Sequence, residues 1–362
     1  MTRSTEPWYR FEFMLAAMRS SRNLDTQTPL EAGFRMPAEW EPHSGCWMAW
    51  PDREDLWGEA LPETQEAYAR VARAISEFEP VTMLAAPESN SVSASLCGPG
   101  VRSLPLEIDD AWIRDTGPAF LVSDDGRHAA TAWKFNAWGE KFERYEQDAQ
   151  LAERVCARLE WPLYRSSLWL EGGAIHVDGE GTILTTESCV LNSNRNPGLS
   201  KREAERELCH ALGGSKVIWL PGELAPEDVT DGHVDGLACF ARPGLILLET
   251  LTDPAEPRSR VLRENRRALR GATDARGRPI EIVEMEDAWE AERGGDVFCL
   301  SYINFYVANG AVVMPKYEAP GDERAREVVE KAFAGRRVLQ LDIRKIAIGG
   351  GGIHCITQQQ PA

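Results

Sequence analysis

The chain has 362 residues, of which 43% are hydrophobic and 27% are charged, and its formal net charge at pH 7 is -17. These values are typical of a folded globular protein, and the length suits one large domain or two. The negative charge argues against nucleic acid or an anionic membrane as a partner, because both attract basic surfaces, and it is compatible with a cationic substrate. No stretch approaches the roughly eighteen apolar residues of a transmembrane helix.

The N-terminal residues are predicted to differ in order from the rest of the chain. Residues 1–33 are expected to be a loosely ordered N-terminal extension, and residues 34–362 a single domain. The extension lacks the apolar core of a signal peptide, since Glu6 and Glu12 interrupt it. The 8 cysteines contain no C-x-x-C pair, so we expect reduced thiols in a cytoplasmic protein rather than a zinc ribbon or a disulfide framework.

Four segments share one form, in which a polar or glycine-rich lead-in precedes two short apolar strands joined by a turn. They begin at Arg114 (RDTGPAFLVSDDGRHAATAW), Glu171 (EGGAIHVDGEGTILTTE), Gly232 (GHVDGLACFARPGLILLET) and Ser301 (SYINFYVANGAVVMP). Their turns contain Gly or Asn, which adopt the positive φ that hairpins need. We therefore predict four β-hairpins at a spacing typical of a supersecondary module.

Amphipathic helical patterns fall between the hairpins. They cover residues 63–79, 145–161, 199–213 and 323–335. Ser200 can cap the start of the third helix, and Gly213 follows its end. Hairpins that alternate with helices predict an α/β ring or propeller of similar units. A dinucleotide-binding sheet is not favoured, because the glycine-rich phosphate loop is absent and GGGGIH opens no helix.

Polar residues that could take part in catalysis or binding occur in the lead-ins. In a ring of repeated units, equivalent lead-ins converge on the axis, so we expect these side chains to meet there. They are Asp109, Asp110, Trp112, Arg114 and Asp115 in the first lead-in, Glu171 and His176 in the second, Asp228, Asp231, His233 and Asp235 in the third, and His354 and Cys355 near the C-terminus.

Each of these residues also has a structural interpretation. Asp115 could be a turn residue, Glu171 a solvated loop charge and His233 a hydrogen-bonded core histidine. However, His233 and Asp235 are expected to share one face of a strand. Burying both polar groups in an otherwise apolar hairpin costs free energy unless they pair with each other or serve a site. Strand alternation would send only one of His354 and Cys355 inward. A metal site of His233, Asp235 and His354 is the weaker alternative, because a second closely spaced histidine is missing.

The chain resembles the agmatine deiminase (agmatine iminohydrolase) family, which includes the bacterial-type peptidyl-arginine deiminases. The resemblance runs from about Phe34 to the last residue, through MPAEWEPHSGCWMAWP, DDAWIRDTGP, LEGGAIHVDGEGTILTTESCVLNSNRNPGLS, TDGHVDG, SYINFYVANG and GIHCITQQQPA. It implies a catalytic domain with the five-bladed α/β propeller of guanidino-group-modifying enzymes, the pentein fold, built from pseudo-fivefold ββαβ-type repeats. The C-terminal strand would complete the fifth unit beside SGCWMAWP.

The resemblance also implies a site. The nucleophile falls on Cys355 and the general acid/base on His233. The guanidinium-binding carboxylates fall on Asp115 and Asp235, and Glu171 lies close to the histidine. No metal and no organic cofactor is implied.

Two further positions are implied to bind substrate. Trp112 matches the aromatic residue beside the scissile group. Gly352 stands where members of the family commonly have asparagine, in GGGNIHC, so this chain lacks an amide that could hold the loop or contact substrate.

The implied activity is the deimination of agmatine to N-carbamoylputrescine and ammonia through a covalent amidino-cysteine, in polyamine (putrescine) biosynthesis. The alternatives are a peptidyl-arginine deiminase that converts arginine in peptides to citrulline, a more distant arginine deiminase or amidinotransferase, and a non-catalytic propeller that acts as a binding module. A papain-like thiol hydrolase would place its cysteine near the N-terminus. Asp228 and Asp231 are candidates for holding the amine of agmatine, and a homodimer is the default oligomeric expectation.

Overall fold

A computed structural model describes residues 27–222, 229–251, 258–295 and 297–362. Of the predicted N-terminal extension, residues 1–26 lie outside this part of the chain. Residues 27–33 form turns that pack on the domain, where the Leu30 N–H donates to the carbonyl oxygen of His210 at 3.1 Å. The first strand begins at Phe34.

The strands of the described residues form five separate sheets. In chain order they are β1 (Phe34–Arg35), β2 (His43–Ala49), β3 (Val81–Ala85), β4 (Val101–Pro105), β5 (Ala119–Ser123), β6 (His128–Lys134), β7 (Leu163–Trp169), β8 (Ile175–Val177), β9 (Thr182–Thr186), β10 (Lys216–Leu220), β11 (Ala238–Arg242), β12 (Leu245–Thr250), β13 (Glu281–Glu286), β14 (Tyr306–Ala308), β15 (Ala311–Lys316), β16 (Arg337–Asp342) and β17 (Thr357–Pro361). The sheet orders are β1-β5-β6-β7, β8-β9-β10, β11-β12-β13, β14-β15-β16 and β17-β2-β3-β4.

One strand arrangement recurs in all five sheets. In four sheets an antiparallel pair is followed by a helix and then by a strand that lies parallel to the second member of the pair. The fifth has the same arrangement in space, but β17, which pairs antiparallel with β2, comes last in the chain. The helices of eight or more residues are Leu61–Ser76, Asn90–Cys97, Leu151–Leu159, Lys201–Leu212, Arg258–Leu269 and Asp322–Ala332. The α/β class and the four predicted hairpins are confirmed.

Shorter helical segments lie at the loops. The α-helical ones are Glu54–Trp57, Ile113–Thr116, Ala137–Glu140, Glu187–Val190 and Arg344–Ala347, and the 3-10 turns are Gly58–Ala60, Asp148–Gln150, Gly172–Ala174 and Val234–Gly236. No helix within the described ranges is long and apolar enough to cross a membrane. The eight cysteines all lie within the described residues, and none is paired with another.

Local chemistry explains why the helix Lys201–Leu212 begins and ends where it does. The Ser200 hydroxyl accepts from the Glu203 N–H while the Glu203 carboxylate accepts from the Ser200 N–H, which is a capping box. Gly213 follows at φ +68°, a left-handed position that glycine adopts without steric cost. Both predicted boundary signals are therefore confirmed.

The strand β17 joins the two ends of the domain. It pairs antiparallel with β2, with Thr357 opposite Met48 and Gln359 opposite Cys46. This pairing confirms that the C-terminal strand returns beside SGCWMAWP. The glycines before it pass against indole rings: a Cβ at Gly349 would lie 2.3 Å from the Trp57 ring, and one at Gly351 2.3 Å from the Trp112 ring.

Two predictions of strand geometry are wrong. His233 and Asp235 do not share a strand face, because residues 234–236 form a 3-10 turn and β11 begins only at Ala238. Gly232, at φ +87°, ends any extended run before them. Cys355 likewise lies in a turn ahead of β17. The alternation rule therefore does not govern these side chains, since it holds only within strands.

Removing residues 353–362 is expected to abolish folding, because it deletes β17 and exposes the edge of β2 together with the apolar surface behind it. Circular dichroism and urea unfolding would show the loss of the cooperative transition. Removing Ala362 alone costs only the hydrogen bond from its N–H to the Pro42 carbonyl oxygen, and is the matched control. A stable, cooperatively folded chain without residues 353–362 would contradict the prediction.

Candidate active site

The side chains of the site come from the turns that precede the first strand of an antiparallel pair. Asp115 precedes β5, Glu171 precedes β8, His233 and Asp235 precede β11, and Cys355 precedes β17. Four of these side chains are buried, namely Asp115, Glu171, His233 and Asp235, and Glu171 is fully so. Cys355 is partly exposed. The structure thus brings together all five residues that the sequence predicts.

His233 lies between two carboxylates. Its Nε2 is 3.1 Å from Glu171 Oε2, and its Nδ1 is 3.7 Å from Asp115 Oδ1. Nδ1 has no hydrogen-bond partner among the described residues. Burial opposes the imidazolium, but the charge of Asp115 and the hydrogen bonds with Cys189 and Glu171 outweigh it and raise the pKa of His233 well above its usual value. The site therefore favours the imidazolium of His233.

Gly173 marks the point on which three functional groups converge. A Cβ added there would lie 2.6 Å from His233 Nδ1, 2.9 Å from Asp115 Oδ1 and 2.9 Å from Asp235 Oδ2. Two donors orient the Asp115 carboxylate, namely the Gly173 N–H at 3.0 Å and the Trp138 indole N–H at 2.9 Å. A larger residue at 173 would displace these groups.

Cys355 lies next to Asp235, with its Sγ 3.6 Å from Asp235 Oδ2. Burial, and then the negative charges of Asp235 and Asp115, raise the pKa of the Cys355 thiol well above its usual value. The free site therefore disfavours the thiolate. A cation bound between the two carboxylates would reverse the electrostatic part of this effect.

A second row of charges supports Asp235 from behind. His354 Nδ1 is 2.8 Å from Asp235 Oδ2, and its Nε2 is 2.7 Å from Glu39 Oε1. Burial alone would raise the pKa of Asp235, but the hydrogen bond and charge of His354 lower it. His354 thus contacts a site carboxylate even though Cys355, its neighbour in sequence, is also in the site.

Glu171 is anchored on its other side by Arg195. Arg195 Nε donates to Glu171 Oε1 at 2.8 Å, and its Nη1 lies 2.6 Å from Asp231 Oδ2. Lys141 Nζ is also 2.9 Å from Asp231. Asp231 is therefore engaged in ion pairs, and Asp228, the other candidate for the substrate amine, lies outside the described residues.

Within the described part of the chain, one group of side chains is close enough together to ligate a metal ion. Ligand atoms of Glu171, Cys189 and His233 all lie within 4.8 Å of one another. Both carboxylate oxygens of Glu171 are already engaged, one by Arg195 and one by His233. The permanent charge of the Arg195 guanidinium would repel a metal cation at this place. The group therefore fits an ion-paired support for His233 better than a metal centre.

A cavity with aromatic walls reaches Cys355 and Asp115. Its sides include Trp57, Trp112 and Trp138. It also contains the buried Asp110, which is 7% exposed. Burial raises the pKa of Asp110 to about 6, against the opposing effect of Arg53, whose guanidinium is 3.8 Å away. The cavity thus has aromatic walls, a carboxylate at the end where Cys355 lies, and Asp110 as a further acidic group.

Sequence comparison places this site in a known context. A family model described as Porphyromonas-type peptidyl-arginine deiminase matches residues 35–361. The chain belongs to this deiminase family. The agmatine deiminase of Pseudomonas aeruginosa is 41% identical over 362 residues, an alignment that covers 93% of this chain and 98% of the relative. That of Ectopseudomonas mendocina is 42% identical over 361 residues, with the same coverage of 93% and 98%.

A solved structure shows the same fold. The agmatine deiminase of Enterococcus faecalis superposes with a TM-score of 0.89 at 35% identity, over 92% of this chain and 98% of that one. The likeness confirms the predicted α/β fold and the family resemblance of the sequence motifs.

Sequence reasoning missed several groups of this deiminase site. Asn304 contacts Cys355, Arg195 pairs with Glu171, and Trp138 donates to Asp115. Asn304 occupies the lead-in of the fourth hairpin, equivalent to positions that were identified in the other hairpins. Its position in the lead-in could therefore have identified Asn304 as a site residue, but its apolar neighbours in SYINFY made it look like part of the core.

Glu171→Gln is expected to lower the pKa of His233, because the neutral amide cannot stabilise the imidazolium. The charged pair contributes stability that is fully present below the unfolded pKa of about 6.5 and is lost as pH rises through the raised folded pKa. The substitution should therefore reduce the free energy of unfolding most at low pH. Urea unfolding from pH 5 to 9 and an NMR titration of His233 measure both effects.

The matched control is Glu153→Gln, which removes an exposed carboxylate paired with Arg165. It should leave the His233 titration unchanged. An unchanged His233 titration in the Glu171→Gln variant would show that Glu171 does not set the charge state of the histidine.

Proposed function

We propose that this protein is a hydrolase that deiminates agmatine to N-carbamoylputrescine and ammonia through a covalent intermediate on Cys355. The observation that carries the proposal is the convergence of Asp115, Asp235 and His233 on one point next to the Cys355 sulfur. A planar cation is the ligand that two buried carboxylates suit best. The relatives named agmatine deiminases, which align over nearly the whole chain, support agmatine as the substrate.

Binding would begin with the guanidinium between Asp115 and Asp235. Charge-assisted hydrogen bonds from its nitrogens to the two carboxylates would fix the central carbon near Cys355 Sγ. The rings of Trp112 and Trp138 form walls of the cavity beside this position. Since the guanidinium brings a positive charge to the thiol, it favours the thiolate that the free site disfavours.

The first chemical step forms a carbon–sulfur bond. On binding of the guanidinium, the Cys355 thiol releases its proton to water, and the resulting thiolate attacks the guanidinium carbon and gives a tetrahedral adduct. His233, as the imidazolium, then donates its proton from Nδ1 to the departing nitrogen. The carbon–nitrogen bond breaks, ammonia leaves, and an amidino-thioether remains on Cys355.

The second step releases the product. His233, now neutral, accepts a proton from water as the water oxygen attacks the amidino carbon. The carbon–sulfur bond breaks and its electron pair returns to Cys355. The hydroxyl proton of the product passes to the sulfur, which restores the thiol, and the neutral urea-type product leaves. Glu171 holds Nε2 of the imidazole throughout, so the other nitrogen faces the reacting atoms.

We also infer that the five sheets are the blades of one propeller around a common axis. Support comes from the shared connectivity of the sheets and from the convergence of their lead-ins. The eight cysteines form no disulfide with one another, which supports a cytoplasmic location, where thiols persist.

Cys355→Ala is expected to abolish ammonia release from agmatine, with kcat lower by at least about ten-thousandfold, because no other group can form the covalent intermediate. The fold should persist, since the substitution removes one sulfur atom from a turn. Ammonia assays with agmatine, arginine and an arginyl peptide, together with thermal unfolding, test this. Turnover that persists in a folded Cys355→Ala variant would sink the assignment of the nucleophile.

Asp110→Asn is expected to weaken the use of agmatine, because Asp110 is the carboxylate of the aromatic cavity suited to the far ammonium of the substrate. A lost hydrogen bond between charged groups corresponds to about a tenfold to hundredfold fall in kcat/KM. Butylguanidine, which lacks the amine, should be hydrolysed equally by both proteins. The wild-type KM for agmatine should also rise as pH falls through about 6, where Asp110 becomes neutral.

Asp124→Asn, in an exposed hairpin turn, is the matched control for this charge removal. An equal loss with agmatine and butylguanidine would show that Asp110 does not bind the amine.

A further inference from the structure

Asn304 is a buried amide that contacts the reactive sulfur. Its side chain lies in the lead-in of β14, and the residue is 1% exposed. Its Nδ2 is 3.2 Å from Cys355 Sγ and 3.4 Å from the carbonyl oxygen of Asp235. Among the described side chains, the Asn304 amide provides a neutral N–H donor within hydrogen-bond distance of the Cys355 sulfur.

Backbone contacts fix the orientation of the amide. Asn304 Oδ1 accepts from the N–H of His354 at 3.0 Å and from the N–H of Cys355 at 3.3 Å. A flipped amide would place N–H groups against these backbone donors, so the flip is unfavourable. Both ends of the amide therefore reach the sulfur: Oδ1, at 3.4 Å, can accept from the Cys355 thiol, and Nδ2, at 3.2 Å, can donate to a thiolate.

Because Gly352 has no side chain, the Asn304 amide can occupy the space beside it. A Cβ at 352 would lie 2.5 Å from Asn304 Oδ1 and 3.0 Å from Asn304 Cβ, well inside contact distance. The backbone N–H of Gly352 also faces the Cys355 sulfur and favours its charged form. The φ of Gly352 is outside the left-handed region, so space and not backbone conformation requires glycine here.

We propose that Asn304 is a further catalytic residue, whose amide N–H stabilises the Cys355 thiolate together with the Gly352 N–H, and that the missing side chain at 352 permits this contact. The inference deepens the proposed function, since it rests on Cys355 as the nucleophile. The same donors would stabilise the sulfur again when it leaves the amidino carbon in the second step.

The carboxylates around the sulfur act in the opposite sense. Asp235 and Asp115 disfavour the thiolate by charge, and Cys299 is a further neighbour that acts in this direction. Tyr68 is buried and also lies within electrostatic range of Cys355. In a site of this charge, neutral N–H donors stabilise a thiolate without repelling a cationic substrate.

Asn304→Asp is the decisive substitution. It keeps an oxygen for the backbone N–H groups of His354 and Cys355 but replaces the donor to sulfur with a negative oxygen. The rate of Cys355 alkylation by iodoacetamide at pH 8, mapped by mass spectrometry, should fall about tenfold to a hundredfold. With agmatine, kcat should fall by at least as much, and KM should change less than kcat.

Gly352→Ala tests the space requirement. Its Cβ must displace the Asn304 amide, so alkylation and kcat should both fall at least about threefold. In an Asn304→Ala background the same substitution should have little further effect, because the displaced atoms are gone. Gly295→Ala, at an exposed glycine with no heavy atom within 4 Å of the added Cβ, is the matched control.

The outcomes separate the possibilities. An unchanged alkylation rate in folded Asn304→Asp would overturn the proposal and leave Asn304 a structural residue, even if kcat fell. Additive effects of Gly352→Ala in both backgrounds would refute the role of Gly352. Because alkylation needs no substrate, a protein that failed to act on agmatine would still report on Asn304.

Discussion

Three carboxylates, those of Asp115, Glu171 and Asp235, lie buried around one thiol, and the site depends on how each remains charged there. Glu171 has the guanidinium of Arg195, and Asp235 has the imidazole of His354. Asp115 has neutral N–H donors and the more distant His233, and burial raises its pKa. Asp115 is therefore the carboxylate with the least direct cationic support. In the proposed function a guanidinium substrate supplies positive charge at this place, which links recognition of the cation to activation of the sulfur.

The repeated connectivity explains how one chain assembles this charge pattern. Each sheet opens with an antiparallel pair, and the turn ahead of that pair carries polar groups in several of the sheets. The groups that meet are distant in sequence: Arg114 Nε donates to the carbonyl oxygen of His354 across 240 positions. Since the contacts are long-range, the site exists only in the folded protein, and the buried ion pairs make its parts interdependent.

Local signals predicted much of the fold, because capping and turn preferences act over a few residues. The capping box at Ser200, the hairpins and the return of β17 beside β2 all followed from such signals or from the family resemblance. The shared strand face of His233 and Asp235 failed, since a turn replaces the strand there. The roles of Arg195 and Asn304 depend on partners 24 and 51 positions away, which no local pattern specifies.

The departure at Gly352 illustrates the same limit. From the sequence alone, a glycine in place of the family asparagine looked like the loss of an amide from the site. The structure shows that the amide of Asn304 occupies the adjacent space, so a side chain at 352 would compete with it. Whether a glycine is a loss or a requirement depends on what fills the volume beside it.

The position of β17 has a consequence for the order in which the molecule is made. Every other strand of the described chain precedes β17, yet β2, among the first, pairs with it. During synthesis from the N-terminus, β2 must wait with an unpaired edge until the final sheet partner leaves the ribosome. The turn that carries Cys355 emerges just ahead of that partner. An incomplete nascent domain therefore contains Asp115, Glu171 and Asp235 but not Cys355, and the proposed chemistry requires its last sheet to close.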